Sequence, residues 1–163
     1  MSTRAIPSSD LHQQRPFDKV LVKLGAIPMA LFQLLFRVCA AGVFWDSGMT
    51  KIASWQTTVV LFRDEYRVPL LSPELAATLA TAVELGCPVL LVFGLGARLA
   101  TLPMLAMIFV IEAFVYPEDW LQHLTWASML LFILSRGPGV LSVDHLIARW
   151  FLGRTRLRTV TSD

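Results

Sequence analysis

The sequence predicts an all-α, membrane-embedded four-helix bundle with short interfacial helices. Three observations carry that prediction. Hydrophobic residues make up 55% of the 163-residue chain, and the mean hydropathy is +0.61. Charged residues are only 16%, against roughly 25% in soluble domains, so a water-exposed surface could not be covered with charge. The apolar residues fall into four runs near the length that a bilayer requires, about 20 residues at a helical rise.

The first run extends from about Ala26 to Gly48. The second extends from Leu75 to Gly96, behind Ser72-Pro73-Glu74. That triplet is a helix start: a hydroxyl cap, a proline in the first turn and an acid at the positive end of the dipole. The third run extends from about Leu99 to Val115, and the fourth from Trp120 to Ser135. The fourth ends at Arg136-Gly137-Pro138-Gly139, a strong breaker, and is short enough to require an upright helix or a thinned bilayer. Two further segments are expected to lie along the membrane. Trp55, Val59, Phe62 and Tyr66 share one helical face. After Ser142, a capping residue, Leu146, Ile147, Trp150 and Phe151 form another. The organisation expected is a tail (1–25), a four-span domain (26–136) and an amphipathic, basic C-terminal segment (137–163). No cleavable signal peptide is expected, because residues 1–25 are polar and mixed.

Lysine and arginine set the orientation. Ten of them fall in the N-terminal tail, at Arg98 between spans two and three, and in the segment from Arg136 onward. Only Lys51, Arg63 and Arg67 lie on the other side. Both termini are therefore expected in the cytoplasm, at a bacterial inner membrane. The basic residues flank apolar runs, so nucleic acid is not an expected partner; the bilayer is.

Ionisable groups within the bilayer are the informative ones, since each costs about 2.5–3.5 kcal/mol at a helix centre on insertion scales. Counting rise from the ends of the apolar runs puts Arg37 and Glu84 at similar depth, and an Arg37–Glu84 ion pair is expected. Pro88 cannot donate to the Glu84 carbonyl four residues back, so a polar spot and a kink are expected there. Asp46, Glu112, His123 and Lys51 fall near the outer ends of their spans and form a candidate polar cluster. Imidazole beside carboxylates would titrate near neutrality, and a His with two carboxylates can also hold a divalent metal, although no metal site is assigned. Trp45, Trp120 and Trp126 lie at or near the outer boundary, as an aromatic belt would. Cys39 and Cys87 sit in apolar runs without metal-type spacing and are expected to act as small hydrophobes. Met104 and Met107 are expected to serve in packing.

The ordered set Arg37, Gly42 to Lys51, Phe62 to Tyr66, Ala82 to Leu91, Gly94 to Arg98, Phe114 to Pro117, His123 to Trp126, and Arg136 to Gly139 with Ser142 to Asp144 resembles the DoxX family of membrane proteins over about Phe32–Ile147. The resemblance implies a four-helix inner-membrane protein. It also implies a link to membrane redox processes: quinone-dependent thiosulfate oxidation in one branch, and a complex with superoxide dismutase and a sulfurtransferase in another. The sequence is most similar to members encoded with copper-responsive modified peptides of the bufferin type. By resemblance, Arg37, Glu84 and His123 fall in recurrent motifs, whereas Cys39 and Cys87 fall in none.

No flavin, nucleotide or haem signature is present, so electron transfer would require a quinone or a borrowed cofactor. The expected function is a membrane subunit of a redox or metal-stress system with a quinone-like ligand in the bundle, held by Arg37, Glu84, Trp45 and His123. The alternative is a non-enzymatic anchor or assembly partner for a copper-handling peptide system, and a third reading is a small-solute or proton transporter. Turnover by this chain alone is not expected. A homo-oligomer and protein partners are compatible with all three.

Overall fold

A computed structural model describes residues 28–160, with side chains described as far as Phe151. The N-terminal tail, the first residues of the expected first span and the side chains of Arg154, Arg156 and Arg158 lie outside it. Among the described residues there are helices and turns and no strands. The elements are α1 (Met29–Ala53), α2 (Trp55–Leu61) continuing into a wide π-type turn (Phe62–Tyr66), α3 (Pro73–Phe93), α4 (Ala97–Phe114), a short 3₁₀ turn (Pro117–Asp119), α5 (Trp120–Arg136) and α6 (Val143–Val160).

Helices α1, α3 and α4 are long and apolar enough to cross a membrane. The 17-residue α5 packs against α1 and α4 to complete a bundle of four. Many large apolar side chains face outward, among them Leu31, Leu35, Leu79, Leu99, Phe109 and Leu131. Lipid accepts such a surface, because the helices satisfy their own backbone groups. The core is built from small and medium residues: Ala40, Ala41 and Phe44 of α1, Cys87 and Leu91 of α3, Ala97, Ala100, Met104 and Ile108 of α4, and Leu130 and Ile133 of α5. Small residues let helix backbones approach where no hydrophobic effect drives them together. Gly48 is such a contact point, since a Cβ there would collide with Leu85.

The expected helix starts are realised. Ser72 Oγ accepts from the Leu75 amide at 3.3 Å, and Ser142 Oγ accepts from the His145 amide at 3.2 Å. Helix α3 runs through Pro88 without interruption. Helix α1 continues five residues past the expected Gly48 before Ser54 ends it.

One end of the bundle, here the base, carries the α3–α4 turn and the start of α6. Asp144 Oδ1 accepts from the Gly96 amide at 2.8 Å, and the Asp144 amide donates to the Gly94 carbonyl at 3.0 Å. The first turn of α6 is thereby fastened across the start of α4. Beyond that turn, Leu146, Ile147, Trp150 and Phe151 present exposed apolar surface, the face expected to lie on a membrane.

The opposite end, the cap, is formed by residues 55–72 and 115–119. The sequence assigned the Val59, Phe62 and Tyr66 face to the membrane surface. The structure turns it inward instead: Phe62 is buried with Ala76 and Ala77 of α3, and Val59, Tyr66, Val68 and Ala80 pack around them. Alanines on that side of α3 leave a trough that the aromatic rings fill. Trp55, at the end of the same face, stays exposed.

The expected Arg37–Glu84 pair does not form. Arg37 lies at the base, where Nη1 donates to the Pro138 carbonyl at 3.0 Å and Nη2 donates to the carbonyls of Leu141 at 2.8 Å and Val92 at 3.4 Å. Glu84 meets Ser47 and Lys51 instead. The register explains the difference. Helix α1 runs past the end of α3 at the base, where Gln33 donates to the Gly137 carbonyl at 3.3 Å. The residue of α1 level with Glu84 is therefore Ser47, ten positions beyond Arg37, or about 15 Å at ~1.5 Å per residue.

Candidate functional site

A cavity of about 550 Å³ lies in the cap half of the bundle. Its walls are largely apolar: Ala76, Leu79, Ala80 and Val83 of α3, and Pro103, Ala106, Met107, Val110 and Ile111 of α4. Phe62, Tyr66, Val68 and Leu71 come from the cap, and Trp126 from α5. Polar groups reach it through Ser47, Lys51 and Glu84 on one side, through Asp119, Gln122 and His123 on another, and through Tyr66 and Tyr116 at the cap. Small ligands are commonly held in this way, in an apolar cleft of about 300–1,000 Å³ with a few convergent polar groups.

Glu84 is 3% exposed. Its Oε1 accepts from Lys51 Nζ at 2.8 Å and from Ser47 Oγ at 3.0 Å, while Oε2 is buried without a partner. Lys51 Nζ also donates to Ser47 Oγ at 3.0 Å. An ammonium has three N–H groups, so one is left to serve a ligand. The pair spans α1 and α3, and Lys51 sits on the five-residue extension of α1 beyond Gly48.

His123 is 5% exposed. Its Nδ1 lies 2.5 Å from Glu112 Oε2 of α4, and its ring packs beside Trp126 with centroids 5.6 Å apart. With Nδ1 held by a carboxylate, ring orientation is fixed and Nε2 is the nitrogen free to engage a ligand. Trp126 also meets Phe44 of α1 edge-on, at 6.5 Å.

The cap closes over the cavity with aromatic and acidic groups. The Tyr116 hydroxyl donates to Glu65 Oε1, and the Tyr66 and Tyr116 rings lie 5.8 Å apart, edge to face. The bond to the Glu65 carboxylate, then burial, holds the Tyr116 phenol well above its ordinary range. Burial raises Tyr66 as well. Two non-glycine residues of this segment, Arg67 and Leu70, adopt positive φ of 42° and 68°, a conformation that is costly outside glycine.

The structure sorts the expected site residues. Glu84, Lys51 and His123 line one cavity, and Glu112 holds His123. Arg37 is at the base, with Nη1 and Nη2 on backbone carbonyls and Nε buried without a partner. Trp45 is 41% exposed and borders a shallow apolar groove on the α1–α3 flank with Gly42 and Pro88; its position on α1 turns it away from the cavity. Asp46 is exposed and stands one position round the helix from Ser47, outside the cluster. Among the described residues no group of three or more His, Cys, Asp or Glu could hold a metal ion, which removes the Asp46–Glu112–His123 arrangement. Cys39 and Cys87 are both free thiols. Sequence reasoning missed Ser47, Tyr66, Gln122, Tyr116 and its Glu65 partner, and it placed Trp126 in a boundary belt. The Tyr116–Glu65 contact joins positions 51 residues apart, and no local pattern signals it.

A multi-pass helical membrane protein with a buried charged pair and an internal cavity is the class that this fold and site define. The chain belongs to the DoxX family, whose match covers residues 32–117. That span includes α2, α3, α4 and all of α1 except its first three residues, and it stops before the α5 residues His123 and Trp126. No curated protein and no solved structure matches the chain.

Proposed function

We propose that this chain is a membrane subunit of a redox system and that its cavity binds a quinone-like ring. The observation that carries the reading is the pairing of a largely apolar cavity with two separate polar contacts, Lys51–Glu84 and His123–Glu112. A quinone has that chemistry, a flat apolar ring with a polar oxygen at each of two edges. The residues fit it: Lys51 has an N–H left for a ring oxygen, His123 offers Nε2, and Trp126 and Met107 supply apolar and polarisable faces. Bound there, a quinone would supply two-electron, two-proton carrier chemistry. The protein's own residues position the ring and keep bulk water out. A redox partner would then be a separate protein.

The distribution of lysine and arginine supports an orientation with the base, and so both termini, in the cytoplasm, and the resemblance to DoxX inner-membrane proteins supports the bacterial inner membrane as the location. Lipid–protein discs containing the purified protein, titrated with ubiquinone or menaquinone analogues, test the reading through tryptophan quenching. We expect saturable binding in the wild type and at least ten-fold weaker binding in Glu84→Gln and His123→Leu. Failure of every quinone to bind the wild type would remove it.

A further inference from the structure

We propose that the cavity is filled from the side, through a gap between α3 and α4 that faces the lipid, and that its occupant is a ring-headed lipid whose tail stays in the bilayer. The inference deepens the quinone reading and rests on it for the ring, while the side opening stands on its own observations. On α3, Ala76 and Glu84 are buried, Ala80 and Val83 half-buried and Leu79 exposed, yet Leu79 lines the cavity with the others. On α4, the half-buried Met107 and Val110 and the exposed Ala106 line it too. At this level the cavity therefore reaches from the bundle interior to the outer flank of both helices.

The two helices converge at the base, where Leu91 and Ala97 are fully buried on either side of a three-residue turn. No residue of either helix nearer the base than Glu84 or Pro103 lines the cavity. At the cap end Phe62, Tyr66 and Tyr116 line the cavity, and the Tyr116 hydroxyl is tied to Glu65. The flank around the gap carries exposed Leu75, Leu102 and Phe109, a surface suited to acyl chains. The polar contacts lie at the inner side of the cavity, on Glu84, Lys51 and His123. A molecule with its head there and its tail toward Leu79 and Ala106 matches the change from polar to apolar along the opening.

The test uses lipid–protein discs made with phosphatidylcholine brominated along its acyl chains. Bromine quenches tryptophan on contact, and the contribution of Trp126 is the difference between the wild type and Trp126→Phe. We expect that contribution to fall at least two-fold in brominated lipid, and Ala106→Phe or Leu79→Phe to restore most of it. A decyl-tailed benzoquinone should also bind at least ten-fold more slowly to Ala106→Phe, and at the wild-type rate to Glu65→Ala, which loosens only the cap. Trp126 emission unaffected by bromine, or equally quenched in all variants, would overturn the side opening. Quenching that behaves as expected in a protein that binds no quinone would keep the opening and eliminate the ring.

Discussion

Lys51 Nζ and Glu84 Oε1 lie 2.8 Å apart, joining α1 to α3, with only 16% and 4% of their side chains exposed. Breaking a buried pair by removing one partner leaves an uncompensated charge, at a cost of about 3–5 kcal/mol. Lys51→Met should therefore destabilise the bundle by that order, and Glu84→Gln by somewhat less, because the amide still bonds Ser47. The double variant should be more stable than the sum of the single effects predicts. Unfolding of all three in mixed micelles gives the double-mutant cycle. Additive effects would show that the two groups are not coupled.

Three glycines should respond in opposite ways. Gly94 and Gly139 have φ of +66° and +85°, and a Cβ at either would strike a neighbour: Arg37 and Ser142 at Gly94, Gln33 at Gly139. Alanine at each should cost more than about 2 kcal/mol, combining backbone strain of roughly 1–3 kcal/mol with the clash. Gly42 sits inside α1 with open space around it, so Gly42→Ala should stabilise by about 0.5–1 kcal/mol. Thermal unfolding of the three variants side by side checks the contrast.

Arg37 holds the base rather than the ligand. Lysine at this position has one nitrogen where arginine reaches three carbonyls, so Arg37→Lys should free the 137–142 connection and the start of α6. Hydrogen exchange there should rise by about an order of magnitude, with cavity binding of quinone unchanged. Loss of binding in Arg37→Lys would place the guanidinium in the ligand path after all.

The chain has two tyrosines, so tyrosinate absorbance reports the cap alone. Both phenols are shifted up from the ordinary value of about 10. A raised phenol favours the neutral form in the folded state. Its stabilising contribution is fully present below pH about 10, and is lost as pH rises through the folded-state value. We expect both rings to ionise above the ordinary phenol range in the folded protein, Tyr116 by the wider margin, and Glu65→Gln to bring Tyr116 back down. Tyr116 titrating in the ordinary phenol range would contradict the Tyr116–Glu65 contact.

Much of the fold was legible because hydropathy and chain punctuation are local. Ser72-Pro73-Glu74 placed the start of α3 within two residues, and Arg136-Gly137-Pro138-Gly139 placed the end of α5 within one. The sliding register of two antiparallel helices is a different matter. Depth counted from the ends of apolar runs set Arg37 opposite Glu84, but Gly48 packing on Leu85 sets Ser47 there, and Gly48 gives no sign of its partner in sequence. The site was half legible for the same reason. Glu84, His123, Lys51 and Glu112 were recognisable as charges in apolar surroundings. Their grouping needed knowledge of which helix faces which, and Asp46 and Trp45 point the wrong way by one or two positions. The cap aromatics read as an amphipathic surface helix because an apolar face looks the same whether it meets lipid or a row of alanines.

The guanidinium at position 37 grips main-chain oxygens, not side chains, and this has an evolutionary corollary. Residues 92, 138 and 141 can drift freely as long as the chain keeps its path, because every amino acid brings the same carbonyl. Arg37 should then be held fixed in relatives while its three partners vary without compensating exchanges, so that the contact is strong in space and silent in any search for paired substitutions.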